Sequence, residues 1–407
     1  MLIESIHVRD ARFELEQGEG SDAVHSKPEY SFAVALVSLN TGVTGTGLVL
    51  TMGLGNDLVC RTIEILGQSL VGTEIEELMA SFGSRFRQLA DHPQLRWLGP
   101  HKGIVHLALA SLTNACFDVW AKSRQKPLWQ LLLDLSPESF VDLLDLSYLE
   151  GVLDRETAVG LLKREQAGRE ARSVVLKTGY PGYDTSVGWF SYDLARIREN
   201  VQRSLDQGFH AFKLKVGGSL DHDLQRAGFL RELVGRDAWI MLDANQQWSY
   251  PAAVAACRKL AVINPYWIEE PTHPDDIDAH RRLAIEIAPL QIAIGEHVPN
   301  RILFKNYLEA GGIAFLQPDC TRLGGVSEFL TVSLLARKYN VRVVPHVGDM
   351  GQIHQHLVLV NHIAMGHEKI FLEHIPHLRN YFAHPARLTG GHYETPSEAG
   401  SSSDLVD

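Results

Sequence analysis

Seven polar residues recur through the second half of the chain at a spacing that invites chemistry. Lys215, Asp243, Glu269, Glu296, Asp319, His346 and Glu373 follow one another at steps of 28, 26, 27, 23, 27 and 27 residues. Each closes a short apolar run, from Phe212-Lys213-Leu214-Lys215 through Trp239-Ile240-Met241-Leu242-Asp243 to Ile370-Phe371-Leu372-Glu373. Taken singly they have ordinary explanations, such as snorkelling lysines on an edge strand or carboxylates capping helices. Seven in register favour one shared site.

The chemistry follows from the residue types. Asp243, Glu269 and Glu296 are consecutive, and three convergent carboxylates repel unless a cation joins them. An all-oxygen set with few protein ligands suits Mg²⁺, which keeps positions for water and substrate. Lys215 stands on one side of this set in strand order and His346 on the other, and both side chains can carry protons. Lys213 shares a strand face with Lys215 and adds positive charge beside it. Asp319, one repeat before His346, is placed to hold the imidazole and fix its tautomer. Glu373 is read either as a protonated partner of a substrate carboxylate or as a salt-bridged carboxylate at the rim. Glu270, next to Glu269, is expected to point away. His354 and His356 lack carboxylate partners at metal-ligand spacing and read as surface or core residues. Such an assembly suits removal of a proton next to a carboxylate: a metal stabilises the enediolate, Lys215 takes the proton, and His346 protonates a departing hydroxyl.

A repeat of this length holds one strand, one helix and two loops. The array therefore predicts an α/β fold, a (β/α)8 barrel over residues 179–375 with its site at the strand C-termini. Helix ends are expected at Ser191 and Gly208, at Ser219 and Gly235, near Pro251, and at Asn340. Residues 1–134 differ: strands come first, with Thr44-Gly45-Thr46-Gly47 carrying hairpin glycines, and helices follow. This predicts a separate α+β domain. A polar loop from Gly18 to Glu29 reads as a mobile lid or a plain surface loop. Residues 135–178 read as a helical insertion, and 376–407 as a return to the first domain ending in a disorder-prone Gly400-Ser401-Ser402-Ser403-Asp404 tail.

Composition excludes other classes. A net charge of -11 without basic blocks argues against a nucleic-acid partner. No apolar stretch approaching ~18 residues is evident, so no membrane span is expected. Met1-Leu2-Ile3-Glu4-Ser5 lacks the pattern of a signal peptide. The four cysteines, Cys60, Cys116, Cys257 and Cys320, are unpatterned and read as reduced thiols of a cytoplasmic protein.

Lys213-Leu214-Lys215, Asp243-Ala244-Asn245, Ile268-Glu269-Glu270-Pro271, Gly295-Glu296-His297 and Pro345-His346 together resemble the mandelate racemase group of the enolase superfamily. Within that group the chain is most similar to the L-fuconate dehydratases. Gly20-Ser21-Asp22-Ala23, Leu95-Arg96-Trp97-Leu98-Gly99-Pro100, Thr185-Ser186-Val187-Gly188-Trp189, Pro271-Thr272-His273-Pro274-Asp275-Asp276 and Asn300-Arg301-Ile302-Leu303-Phe304-Lys305 carry that likeness, together with the insertion. The resemblance implies a modified TIM barrel with an α+β capping domain built from the N-terminal region and the C-terminal segment. It implies Mg²⁺ and dehydration of a six-carbon acid sugar to a 2-keto-3-deoxy acid. It further implies substrate contacts from Ser21, Asp22, Asn245 and His297, and a homo-oligomer without nucleic-acid or membrane partners. L-Galactonate is a related substrate, and a racemase or epimerase uses the same residues. A cycloisomerase would place a lysine where Asp319 stands. A non-catalytic binding scaffold would be expected to have lost a metal ligand, Lys215 or His346. One departure bears on specificity: Val347-Gly348-Asp349 follows His346 where Ala-Gly-Gly is expected, bringing an extra carboxylate beside the acid.

Overall fold

The first fifty positions make an antiparallel sheet of β1 (Ile3–Phe13), β2 (Tyr30–Leu39) and β3 (Thr44–Thr51), in that order, with β2 and β3 buried along nearly their whole length. The computed structural model describes residues 1–406. The sheet packs on the 21-residue helix Gly103–Ser123. Gly45 and Gly47 owe their identity to this contact rather than to the hairpin. A Cβ on Gly47 would lie 1.9 Å from the Ser111 carbonyl oxygen. By length and composition the helix could cross a membrane, contrary to expectation, but 89% of its apolar window is buried inside the protein. It is a core helix packed against the N-terminal sheet.

Residues 135–178 contain helices and no strand. Ser136 caps Pro137–Asp142 and Asp154 caps Arg155–Glu165, each accepting a backbone N–H.

Eight parallel strands follow: β4 (Tyr180–Gly188), β5 (Ala211–Lys215), β6 (Trp239–Asp243), β7 (Trp267–Glu269), β8 (Ile292–Ile294), β9 (Phe315–Leu316), β10 (Arg342–Val343) and β11 (Leu372–His374). Neighbours in sequence are neighbours in the sheet from β4 to β10, and β11 pairs back onto β4. Register carries the chemistry across: Lys215 lies opposite Asp243, and Asp243 opposite Glu269. Tyr183, Ala211, Met241, Trp267, Ala293, Phe315, Val344 and Phe371 form one apolar cluster, drawn from the eight strands and their immediate ends. The strands therefore share one interior. Alternation puts Phe212, Leu214 and Val216 among the helices and leaves Lys213 and Lys215 facing inward.

Helix ends match expectation except at the first. Asp193, not Ser191, caps Leu194–Asp206 by accepting from the Arg196 N–H. A carboxylate is available there, and Ser191 is engaged elsewhere. Ser219 caps Leu220–Val234, which ends at Gly235, and Pro251 lies in the first turn of Tyr250–Leu260.

After β11 come two short strands, β12 (Leu388–Thr389) and β13 (His392–Tyr393), the second antiparallel to β4. The tail is ordered, correcting the reading from its composition. Ser401 donates through its N–H and hydroxyl to Asp118 Oδ1, at 2.6 and 2.7 Å. Asp404 accepts from Thr46 Oγ1 and Lys122 Nζ at 2.6 and 2.7 Å. Asp118 is fully buried, and a buried carboxylate must find donors. The small polar residues that suggest disorder are the ones that supply them.

Candidate active site

Lys213, on β5, is wholly buried among three carboxylates. Its Nζ lies 2.6 Å from Glu269 Oε1, 2.8 Å from Glu373 Oε1 and 3.3 Å from Asp243 Oδ2. Burial opposes its charge, but Glu269, Glu373 and Asp243 together raise its pKa well above that of a free lysine. Lys215, two residues on, donates to Asp243 Oδ2 at 2.6 Å with its Nζ 5.5 Å from the centre of the Trp189 ring. Burial again opposes the charge, and Asp243 more than restores it, so the pKa is raised.

Asp243, Glu269 and Glu296 each offer an oxygen within 4.8 Å of the others, and all three are buried. Burial favours the neutral form of Asp243, but Lys215 and Lys213 hold its pKa below the ordinary value. Burial pushes Glu269 up to about 7 against the pull of Lys213. Glu296 Oε2 is buried without a hydrogen-bond partner. An orphaned oxygen beside two more carboxylates fits a hard divalent cation, and the oxygen-only donor set suits Mg²⁺.

His346 approaches from the other side. Its Nδ1 is 2.9 Å from Asp319 Oδ2, and its Nε2 is 3.1 Å from Glu296 Oε2 without the alignment of a hydrogen bond. Burial disfavours the imidazolium, but Glu296 and Asp319 raise its pKa. Asp319 is itself held: Oδ1 accepts from the Thr321 N–H and hydroxyl, both at 2.7 Å. His354, read from sequence as lacking a carboxylate partner, sits 3.3 Å from the same oxygen. It is one helix downstream and invisible to spacing rules. Burial opposes ionisation of Asp319, yet the bond from His346 and the nearby His354 ring hold it far below the carboxylate range. His356 is buried and neutral, its pKa lowered to about 3 by burial.

Other expectations change. Glu373 is not at the rim but fully buried, its Oε1 accepting from Thr185 Oγ1 at 2.6 Å and its Oε2 from the Val347 N–H at 2.9 Å. Glu270 does not point away. Its backbone turns at φ +42°, and its carboxylate accepts from Gln246 Nε2 at 2.8 Å and lies 3.1 Å from His297 Nδ1. A left-handed residue breaks strand alternation, so the period-two rule fails at that position. His297 is clamped between Glu270 and Glu296; burial opposes its charge, but these carboxylates raise its pKa to about 10.

Asp349 also lies elsewhere than expected. Gly348 approaches so close to the Glu373 backbone that a Cβ would lie 1.6 Å from its carbonyl oxygen. Beyond that contact Asp349 accepts from the Ile375 N–H at 2.5 Å and faces His374. It supports the segment behind His346 and adds no charge to the cavity.

A cavity of about 260 Å³ lies between the C-terminal edge of the parallel sheet and the N-terminal region. Lys215, Asn245, Glu296, His297, His346 and Glu373 come from the sheet side, and Asp22, Tyr30, Leu50 and Met52 from the other. Asn245 Oδ1 is buried and unpartnered beside it. Ser21 is not a wall residue: its hydroxyl bonds Gly18 O and Ser191 Oγ, both at 2.7 Å. Together with a bond from the Phe190 N–H to the Ser21 carbonyl, this ties the 18–29 loop down over the sheet. Tyr30 and Arg322 had no sequence signal of their own, and Thr185 and Trp189 stood out only as the ends of one family segment.

This is the layout of an enzyme that moves protons beside a divalent cation. Residues 196–406 match the family described as enolase C-terminal domain-like, and the chain belongs to the enolase/mandelate racemase superfamily. It is 38% identical to L-galactonate dehydratase of Hypocrea jecorina, covering 100% of this chain and 92% of that one. The crystal structure of human mitochondrial enolase superfamily member 1 superposes with a TM-score of 0.96 at 36% identity, over 100% of this chain and 94% of that one. A Streptomyces coelicolor A3(2) racemase with bound magnesium gives 0.78 at 25% identity, over 100% and 97%.

Proposed function

We propose that this chain is a Mg²⁺-dependent acid-sugar dehydratase acting on a six-carbon acid of the L-galactonate and L-fuconate configuration. The observation that carries the reading is the placement of Lys215 and the Asp319–His346 pair on opposite sides of the Asp243, Glu269 and Glu296 cluster. The reading takes the eight strands as a closed (β/α)8 barrel, which the shared apolar interior supports. It takes Asp243, Glu269 and Glu296 as the ligands, and likeness to a magnesium-bound relative supports Mg²⁺. An ion held by Asp243, Glu269 and Glu296 would supply positive charge for the substrate carboxylate and for charge developing there, and would weaken the hold of Lys215 on its proton.

Lys215 takes the proton from the carbon next to the carboxylate. Lys213, fixed by three carboxylates, holds positive charge behind it. His346, held through Nδ1 by Asp319, gives its Nε2 proton to the hydroxyl on the following carbon, which leaves as water. The resulting enol rearranges to a 2-keto-3-deoxy acid. Each proton-transfer group contributes about 10²–10⁴ in rate. The substrate class follows from the likeness to L-galactonate dehydratase and from the family motifs; L-fuconate is L-galactonate without its C6 hydroxyl. A panel of acid sugars incubated with protein and Mg²⁺, assayed for 2-keto-3-deoxy product, tests the reading. Epimerised substrate without keto acid would replace it with a racemase.

A further inference from the structure

The loop over the cavity carries a second aspartate–histidine pair. Asp22 Oδ1 accepts the backbone N–H groups of Val24 and His25, at 2.7 and 2.6 Å, and so cannot swing freely. His25 Nδ1 lies 3.2 and 3.1 Å from the two Asp22 oxygens. A carboxylate only accepts, so in the neutral ring Nδ1 carries the proton and Nε2 the lone pair. Nε2 has no protein partner among the described residues, and His25 lines the cavity. The His25 side chain is 39% exposed whereas Lys215 is 6% exposed. The pair thus sits at the mouth, away from the buried groups between which the reacting carbons must lie.

We propose that His25, held by Asp22, reads the far end of the substrate and selects six-carbon acids with a C6 hydroxyl over 6-deoxy and 6-carboxylate counterparts. This rests on the dehydratase reading and specifies its substrate. A carboxylate end anchored at the metal ligands on the floor leaves the C6 end for the mouth. There a fixed lone pair accepts an O–H, a methyl offers it nothing, and a second carboxylate meets the charge of Asp22. At this half-open position water satisfies Nε2 before substrate binds; a C6 hydroxyl replaces that bond, whereas a methyl displaces the water and gives nothing in return.

The test uses the full chain with Mg²⁺ and three acids of one configuration, ending in C6 hydroxyl, methyl or carboxylate. His25→Leu is expected to lower kcat/KM for the hydroxyl acid about tenfold, mainly through KM, and to leave the 6-deoxy acid within about twofold. His25→Gln, which keeps a carbonyl acceptor, should recover most of the loss. Equal losses on both acids, or a wild-type preference for the carboxylate or methyl acid, overturn the proposal. Calorimetric binding of the same acids to Mg²⁺-loaded wild type and His25→Leu gives a readout independent of turnover. If no acid yields keto product, the dehydratase reading fails, while the binding comparison still decides whether His25 discriminates at C6.

Discussion

Lys213 and Glu269 meet at 2.6 Å with neither side chain exposed to solvent. The contact joins a strand to the second strand along, past Asp243 between them. It keeps the Glu269 carboxylate, a proposed metal ligand, aimed inward. The same ammonium reaches Glu373 on β11, so one cation spans both flanks of the site.

That arrangement makes Mg²⁺ affinity depend on pH near neutrality. With Glu269 pushed up to about 7, a proton competes with the metal below that value and not above it. Affinity should therefore rise as pH increases through 7 and then level off, being about tenfold weaker at pH 6 than at pH 8. Glu269→Gln should bind weakly at every pH and lose the dependence. Calorimetry with Mg²⁺ at three pH values checks this; an identical pH profile in wild type and variant would rule out Glu269 as its source.

The two flanks should separate in D₂O. His346→Asn is expected to lose dehydration by about 10²–10⁴ yet still exchange the α-proton, since Lys215 and the metal ligands remain. Lys215→Ala should lose both. Asp319→Asn should behave as a weakened His346 variant, because the imidazole loses the orienting carboxylate at its Nδ1 and with it some basicity. Deuterium incorporation followed by NMR beside keto-acid formation reads all three. Dehydration at the parental rate in His346→Asn would remove it as the general acid.

The loop from Gly18 to Glu29 depends on Ser21, whose hydroxyl ties it to Ser191. Ser21→Ala should loosen the loop while leaving the metal ligands untouched. A rise in KM of about three- to tenfold with Mg²⁺ affinity unchanged is expected for one or two lost hydrogen bonds. Equal KM values would show that the loop is held by other contacts.

Asp118 is the anchor of the C-terminal segment, its oxygens taken by Ser401, the Thr46 N–H and Lys122. Asp118→Ala leaves Lys122 and these donors short of a partner, a loss of about 3 kcal/mol. A lower melting temperature and faster proteolytic clipping near residue 400 are expected, with α-proton exchange retained in the intact fraction.

How far the sequence could be read depends on which contacts are local. The strand-end residues were legible because each parallel strand presents its last polar residue at one edge, so spacing alone aligns Asp243, Glu269 and Glu296. Asp319 and His346 were paired by the same logic, one repeat apart. Glu270 was misread because its positive φ reverses the expected direction. His354 reaches Asp319 across the following repeat, and Ser21 meets Ser191 across 170 residues. No periodicity records such contacts. Gly45 and Gly47 look the same as turn glycines until a helix is laid against them. The serine-rich tail has the composition of a flexible end, and only the buried carboxylate it serves explains its order.

The union of Asp404 with Thr46 and Lys122 has a further consequence for how the chain is made. Thr46 lies on β3, the strand that runs on to Leu50 and Met52 at the cavity wall. A polypeptide emerging from the ribosome in order has synthesised every strand of the catalytic sheet before residues 400–406 appear. The first sheet to be translated is thus the last to be finished. A chain stalled short of residue 400 would carry the strand-end groups beneath a roof held at Ser21 and Leu50 but lacking its last tie, the one at Asp404.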